Sequence, residues 1–453
     1  MKAKKTKLAA LLLAGAMLLS AAGCSGNGNS SSQDAAGGES SQASSNTETS
    51  EVAEEGPKEE VTITFMTNVG STTDDKIKPL VDAYEAEGVT IDYQAVAGST
   101  SDYQQKLTTL FASGTYPDVL YVPTIWTKMH AELGVVASLE GKISQDILDD
   151  FNEGPLETCM YNGELMGLPM DNDCITLFYN KDQVEAAGID NIPESYDDAW
   201  TWEEFQEAAA TAKEATGTMH GMVFGSDFSI ELPFFWQSGA TVLSPELDSV
   251  TVNQQGTIDT LNWFRTLVDE GLCSTNIFLG VDDSESMFVS QQAPFYVANC
   301  GSTSNLLTKI DGAFELGVTY LPQNKEHANK IGGWNIEMMK ESEHPEEALA
   351  FLEYMVSPEV MNAKCESTGS MPARKSAADT IEFGALDPYA PVFIEEIANI
   401  PEFAITDSVN EEYQTYKGLM TQEFQNFISD PNVTAETAAQ NMQAAIEQAL
   451  GLG

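Results

Sequence analysis

Trp126, Phe228, Trp236 and Trp334 offer flat apolar faces of the kind that cover the C–H side of a sugar ring. Asn68, Asp171, Asp173, Asn299 and Asn335 offer amides and carboxylates that pair with neighbouring hydroxyls. Any of these side chains is equally of a type that packs inside a core. Bond-breaking chemistry has weaker support. A glycosidase needs two carboxylates across a scissile bond, but with 70 Asp and Glu in the chain such a pair is always available and carries no information. The sequence has no G-x-S-x-G elbow, H-E-x-x-H helix, P-loop or G-x-G-x-x-G fingerprint. His130, His220, His327 and His344 are scattered rather than spaced as metal ligands. The expectation is a binding site with no catalytic residues, no metal and no cofactor.

The elements that would position these residues alternate. Val61 to Thr67 reads as a strand, followed by a helical pattern through Ile77, Leu80, Val81 and Tyr84. A second strand spans Val89 to Val96, and a helix from Asp102 to Ala112 leads into Pro117-Asp118-Val119-Leu120-Tyr121. This alternation predicts a parallel, doubly wound sheet, whose ligands lie beyond the carboxyl ends of the strands, at Asn68, Val122, Pro123 and Trp126. The stretch Asn162 to Asp182 is the expected handover between lobes. Gly163 and Gly167 bracket a tight hairpin, Pro169 rules out a central ladder position, and Cys174 to Tyr179 suits a buried strand. Asp171, Asn172 and Asp173 stand at the entrance of that strand, and Asn180 caps the helix after it. Further on, Thr201 and Glu204 form a capping box. Leu261, Phe264 and Val268 recur at helical spacing in a helix closed by Gly271, as core residues do. The strand Met219 to Phe224 leads into Gly225-Ser226-Asp227-Phe228.

The order of these pieces resembles a known family. G-x-L-x-G-L-P at Gly163 to Pro169, Asp173 six positions before Tyr179, and Y-N-K-D at Tyr179 to Asp182 look like the first interlobe crossing of the extracellular solute-binding proteins of ABC importers, the group containing maltose-binding protein. P-D-V at Pro117, L-G-x-x-x-x-L at Leu133, T-W-x-E-F at Thr201, W-Q-S-G at Trp236, the pair Gly332-Gly333 and G-x-x-P-A-R-x-S at Gly369 follow in the family's order. Gln292 departs from it, standing where the family usually has Gly. The resemblance runs from about Val61 to the C-terminus. It implies an α/β, two-lobe periplasmic-binding-protein-like fold with three crossings, near 171–173, 318–321 and 357–364. Lobe 1 would comprise 59–172 plus 318–357, and lobe 2 would comprise 173–317 plus 358–453. It also implies a carbohydrate ligand held between the lobes, with Trp334 acting from the first and Trp236 from the second, and delivery to the membrane permease subunits of an ABC importer. A polyamine or other small polar solute is the alternative ligand; a surface glycosidase or adhesin is the alternative class.

Composition fits an exported protein. Lys plus Arg number 21 against 70 acidic residues, a net −49 over 453 residues, so nucleic acid and anionic membrane surfaces are poor partners. Lys2, Lys4, Lys5 and Lys7 precede an apolar run from Leu8 to Leu19 that is too short for a mature membrane span, then Ser20-Ala21-Ala22-Gly23-Cys24. This resembles a lipoprotein signal peptide at 1–23 with lipidation of Cys24, which would anchor the chain to the outer face of the cell membrane. Residues 24–58 are rich in Ser, Gly, Asn, Gln and Glu and read as a disordered tether. Cys159, Cys174, Cys273, Cys300 and Cys365 are odd in number and widely spaced, which predicts buried free thiols rather than a disulfide framework; the folded body is expected to be a monomer.

Overall fold

A computed structural model describes residues 60–69 and 74–452; the expected signal peptide at 1–23, the tether at 24–58 and Cys24 lie outside the described residues. Among the described residues twelve strands are formed: β1 (Val61–Val69), β2 (Val89–Ala97), β3 (Val119–Pro123), β4 (Met160–Tyr161), β5 (Glu164–Leu165), β6 (Leu168–Asp173), β7 (Ile175–Asn180), β8 (Met222–Phe224), β9 (Phe295–Asn299), β10 (Leu316–Thr319), β11 (Gly332–Met338) and β12 (Met371–Pro372). They make a six-stranded sheet in the order β12-β6-β11-β3-β1-β2, a four-stranded sheet β10-β7-β9-β8 and the small β4-β5 hairpin. The two larger sheets belong to one compact unit.

The expected all-parallel sheet is only half present. β2, β1 and β3 run parallel, but β11 is antiparallel to both β3 and β6. The cause is the crossing itself. β6 leaves the first sheet at its cleft end, and β11 returns from the second sheet through that same end, so it must run the opposite way. In the second sheet β8 and β9 are parallel and both finish on the side from which β7 starts. The segments that follow β3, β8 and β9 therefore converge on one region.

Helices cover both sheets. The first sheet packs on one face against the helix Pro345–Met355 through Phe65, Ile336, Phe351 and Leu352, and on the other against the helix Thr100–Ser113 through Tyr103, Leu107 and Leu120. The second is enclosed by a larger core that includes Phe224, Phe264, Val297 and Phe424. The predicted capping box is formed, with Thr201 and Glu204 exchanging hydrogen bonds at the head of the helix Trp202–Thr216. Asn180 caps the helix Lys181–Ala186.

Pro169 occupies an interior strand, contrary to the expectation. It is tolerated because β12 pairs β6 only at Asp171 and Asn172, which leaves Pro169 without a neighbour on that side, and because β11 bulges between Trp334 and Asn335 opposite it. The hairpin turn falls on Asn162 and Gly163, both at positive φ, and does not extend to Gly167.

Two crossings lie elsewhere than expected. The segment Gly317 to Pro322 begins on β10, inside the four-stranded sheet. The chain then stays with that half: Leu321 N–H and the Asn329 amide both donate to the Glu396 carboxylate, at 2.7 and 2.8 Å. The passage to the first sheet occurs only at Lys330 to Gly332. Likewise the helix Pro358–Thr368, β12 and the helix Lys375–Ala378 stay with the first sheet, where Val360, Met361, Ala373 and Ala377 join its core. The return to the other half follows Ala377, the last residue of this stretch in the first core, and by Tyr389 the chain packs against the second.

Candidate functional site

The cleft is built on the Gly332-Gly333-Trp334 start of β11. Gly333 has φ +118°, and a Cβ there would run into the backbone of Asp171; a Cβ on Gly332 would run into the Asp173 carboxylate. Only glycine lets β11 approach β6 so closely at this point. The approach sets Trp334, whose N–H donates to Asp171 Oδ1 at 2.8 Å and whose indole stacks on Tyr121, with centroids 4.9 Å apart and planes 13° from parallel. The half-buried ring opens into a cavity of about 270 Å³.

Both sheets contribute to the walls. From the first come Thr100 and Gln104, at the start of the helix Thr100–Ser113, and Ile125 and Trp126 after β3. From the second come Asp227 and Ser229 after β8, with Tyr413, Gln414 and Lys417 on the helix Tyr413–Ser429. Asp173, Lys330 and Ile331 lie between them. The charged groups are matched: Lys330 Nζ stands 3.2 Å from Asp173, and Lys417 Nζ stands 3.1 Å from Asp227. Burial pushes the Lys330 ammonium down, but Asp173 more than offsets this and holds it above the ordinary lysine value, so it is charged. A flat indole, a tyrosine, two amides and the hydroxyls of Thr100, Thr124 and Ser229 around balanced charges can hold a small polar solute against an apolar face.

Of the nine residues singled out in the sequence, Trp126, Asp173 and Trp334 line this cavity. Trp126 is nearly buried and packs on Tyr103, so it forms floor more than open face. The other candidates are engaged elsewhere. Asp171, 2% exposed, is committed to the Trp334 N–H and to a buried ion pair with Lys364. The Asn68 amide donates to the Val96 and Gly98 carbonyls and ties down the end of β2. Phe228 packs against Phe235 and Phe424 in the second core. Trp236 is fully buried, with Nε1 donating to Asp407 at 2.7 Å. Asn299 caps the turn at Gly301, and Asn335 donates to Thr127 and Thr158 inside the first core. Gln104, Asp227, Lys330, Tyr413, Gln414 and Lys417 were missed. Asp227 and Lys330 had a signal, since each adjoins a motif already singled out; the helix Tyr413–Ser429 had none.

Larger hollows exist. A chamber of about 600 Å³ lies on the far side of β6, near Met371, Ile397 and Ile405, and is lined mainly by aliphatic side chains. A polar one of about 460 Å³ borders Asp282 and Lys309 on the second half alone. The cavity at Trp334 joins the strand ends of both sheets to an aromatic face and hydrogen-bonding groups, and is the better site.

The family model of bacterial extracellular solute-binding proteins matches residues 70–362. The chain belongs to this family. Among relatives of this solute-binding protein, a binding protein of Brucella abortus is 25% identical over 346 residues, covering 71% of this chain and 82% of the relative. The sn-glycerol-3-phosphate-binding periplasmic protein UgpB of Shigella dysenteriae is 24% identical over 381 residues, covering 76% and 82%. Among solved structures, the GacH receptor of Streptomyces glaucescens, determined unliganded and with acarbose, superposes with a TM-score of 0.75 at 20% identity, covering 86% of this chain and 98% of its own. The fold of this solute-binding protein is the two-lobe one, with the cleft between the lobes. None of its helices, among the described residues, is long and apolar enough to cross a membrane.

Proposed function

We propose that this solute-binding protein captures a neutral carbohydrate between its lobes and delivers it to the permease subunits of an ABC importer, with Cys24 carrying a lipid anchor. The observation that carries the ligand reading is the Trp334 face beside charges that already neutralise one another. A sugar gains the ring contact and hydroxyl pairs without breaking either ion pair. The cavity, about 270 Å³, sits just under the roughly 300–1,000 Å³ of small-molecule sites, which favours one or two sugar rings over a long chain. The GacH receptor, of the same fold, was solved with acarbose.

An anionic solute is the second reading, because Lys330 and Lys417 line the cleft and UgpB is named for sn-glycerol-3-phosphate. An anion would have to draw both lysines from the carboxylates they already hold. Titration calorimetry on the purified chain with neutral mono- and disaccharides, sn-glycerol-3-phosphate and spermidine separates the readings. Saccharide binding with no hydrolysis at an ordinary enzyme rate, on the order of 1 per second, is the expected result. Binding of the phosphate or the polyamine alone would overturn it. For the anchor, Cys24→Ser should release the protein from cells into the medium, and unchanged membrane association would count against lipidation.

A further inference from the structure

The cysteines Cys159, Cys174, Cys273, Cys300 and Cys365 are free and buried, but two of them face each other. The β7–β9 ladder pairs Ile175 with Asn299, and one step along that register Cys174 stands opposite Cys300. The Cys300 N–H donates to the Cys174 carbonyl at 2.9 Å, and the Cys174 N–H meets the Cys300 sulfur at 3.5 Å. Residues directly opposed in an antiparallel pair have Cα atoms about 4.5–5.5 Å apart, inside the roughly 4.4–6.8 Å that a disulfide spans. The place matters as much as the spacing. Cys174 is the single residue between β6 of the first sheet and β7 of the second, and it follows Asp173 of the cleft.

We propose that Cys174 and Cys300 close to a disulfide when the exported chain meets a small-molecule disulfide, and that the closed form clamps the first crossing. The thiolate of Cys300 attacks one sulfur of the reagent and releases one thiolate. Cys174 then attacks the mixed disulfide and releases the second. Two S–H bonds are lost, one S–S bond forms, and the reagent leaves as two thiols carrying both protons. Burial, and then the hydrogen-bonded Cys300 thiol, holds the Cys174 thiol well above its ordinary value, so exchange is slow in the folded protein and runs chiefly as the chain folds.

The test refolds the full chain from denaturant in a glutathione–glutathione disulfide buffer and maps unreduced peptides by mass spectrometry. The expected product lacks two hydrogens, joins the Cys174 and Cys300 peptides, and melts roughly 3–10 °C above a Cys174→Ser/Cys300→Ser variant. Hydrogen exchange over residues 172–176 should slow in the crosslinked form. A link between Cys300 and Cys365, glutathione adducts on Cys174 or Cys300, or fully reduced peptides would overturn the pairing. A correct link with unchanged exchange would overturn the clamp. If the serine variant does not refold, the folded parent is incubated for days with glutathione disulfide and mapped in the same way, with the same outcomes deciding.

Discussion

The Trp334 indole has two jobs, and they are separable by measurement. One part of it leans on Tyr121 and the other lines the cleft. Burying a sugar face on the ring is worth on the order of 1–3 kcal/mol, so Trp334→Ala should weaken saccharide binding by about tenfold. The stacking lost against Tyr121 should also lower the stability of the free protein by about 1 kcal/mol. Trp334→Phe should restore most of the stability and part of the affinity. Calorimetry and thermal melts read the two effects, and full affinity in the alanine variant would remove Trp334 from the site. The sequence singles out this tryptophan because glycines before an aromatic residue mark a close backbone approach, and the structure places it at the cavity wall. Trp236 looked the same from sequence, since an indole that packs and an indole that binds share one residue type; only its partner, the distant Asp407, distinguishes them. Burial pushes the Asp407 carboxyl up to about 6, against the hydrogen bonds from Trp236 and Val242 that draw it down. Its ordinary value is 3.8, so between about pH 4 and 6 the native state binds the extra proton and stability falls as pH rises, becoming constant above that window. The whole effect is roughly 3 kcal/mol. Asp407→Asn should therefore gain stability relative to the parent as pH goes from 4 to 7, measured by urea denaturation at each pH. A difference independent of pH would show that the carboxyl is not forced up.

At the scale of elements, local pattern predicted what is local and failed where long-range pairing decides. The capping box at Thr201, the cap at Asn180 and the helix closed by Gly271 are settled within a few residues, and the sequence located each of them. Membership of a lobe depends on which strand pairs with which, and no short window records that. The helix Pro358–Thr368 shows the difference. Motif order places it in the second lobe, but Lys364 ties it to the first sheet, its ammonium pairing with buried Asp171 on β6 and reaching Ser370 at 3.1 Å. Lys364→Met would leave that carboxylate buried with the Trp334 N–H alone, a loss of about 3–5 kcal/mol. Converting both partners, Asp171→Asn with Lys364→Met, should cost clearly less than the single change, because no uncompensated charge remains. Equal losses in urea denaturation would mean that the pair does not couple helix to strand.

For the whole molecule, the arrangement of two sheets joined through one cleft was legible from motif order, while most of the cleft's own side chains were not, because they come from segments far apart in the chain. Asp173, Asp227, Lys330 and Lys417 are separated by up to hundreds of positions yet balance one another locally, within a chain whose net charge is −49. A ligand touching both walls favours the closed arrangement by its differential contacts. X-ray scattering should therefore record a smaller radius of gyration with a saccharide that binds, and no contraction would remove the hinge mechanism. The charge makes a separate demand on association. At 10 mM salt the Debye length is about 30 Å and the acidic field reaches well beyond the surface; at 1 M it is about 3 Å. A neutral sugar does not feel that field, so its association rate, followed by stopped-flow tryptophan fluorescence, should change less than about twofold between those salt concentrations. An anionic solute would be repelled at low salt and speeded on the order of tenfold or more by screening. The free protein should meanwhile melt higher in salt, as self-repulsion is screened. A binding solute whose rate climbs steeply with salt would show that the cleft accepts anions against the charge of the whole chain, and the neutral-carbohydrate reading would give way to the phosphate one.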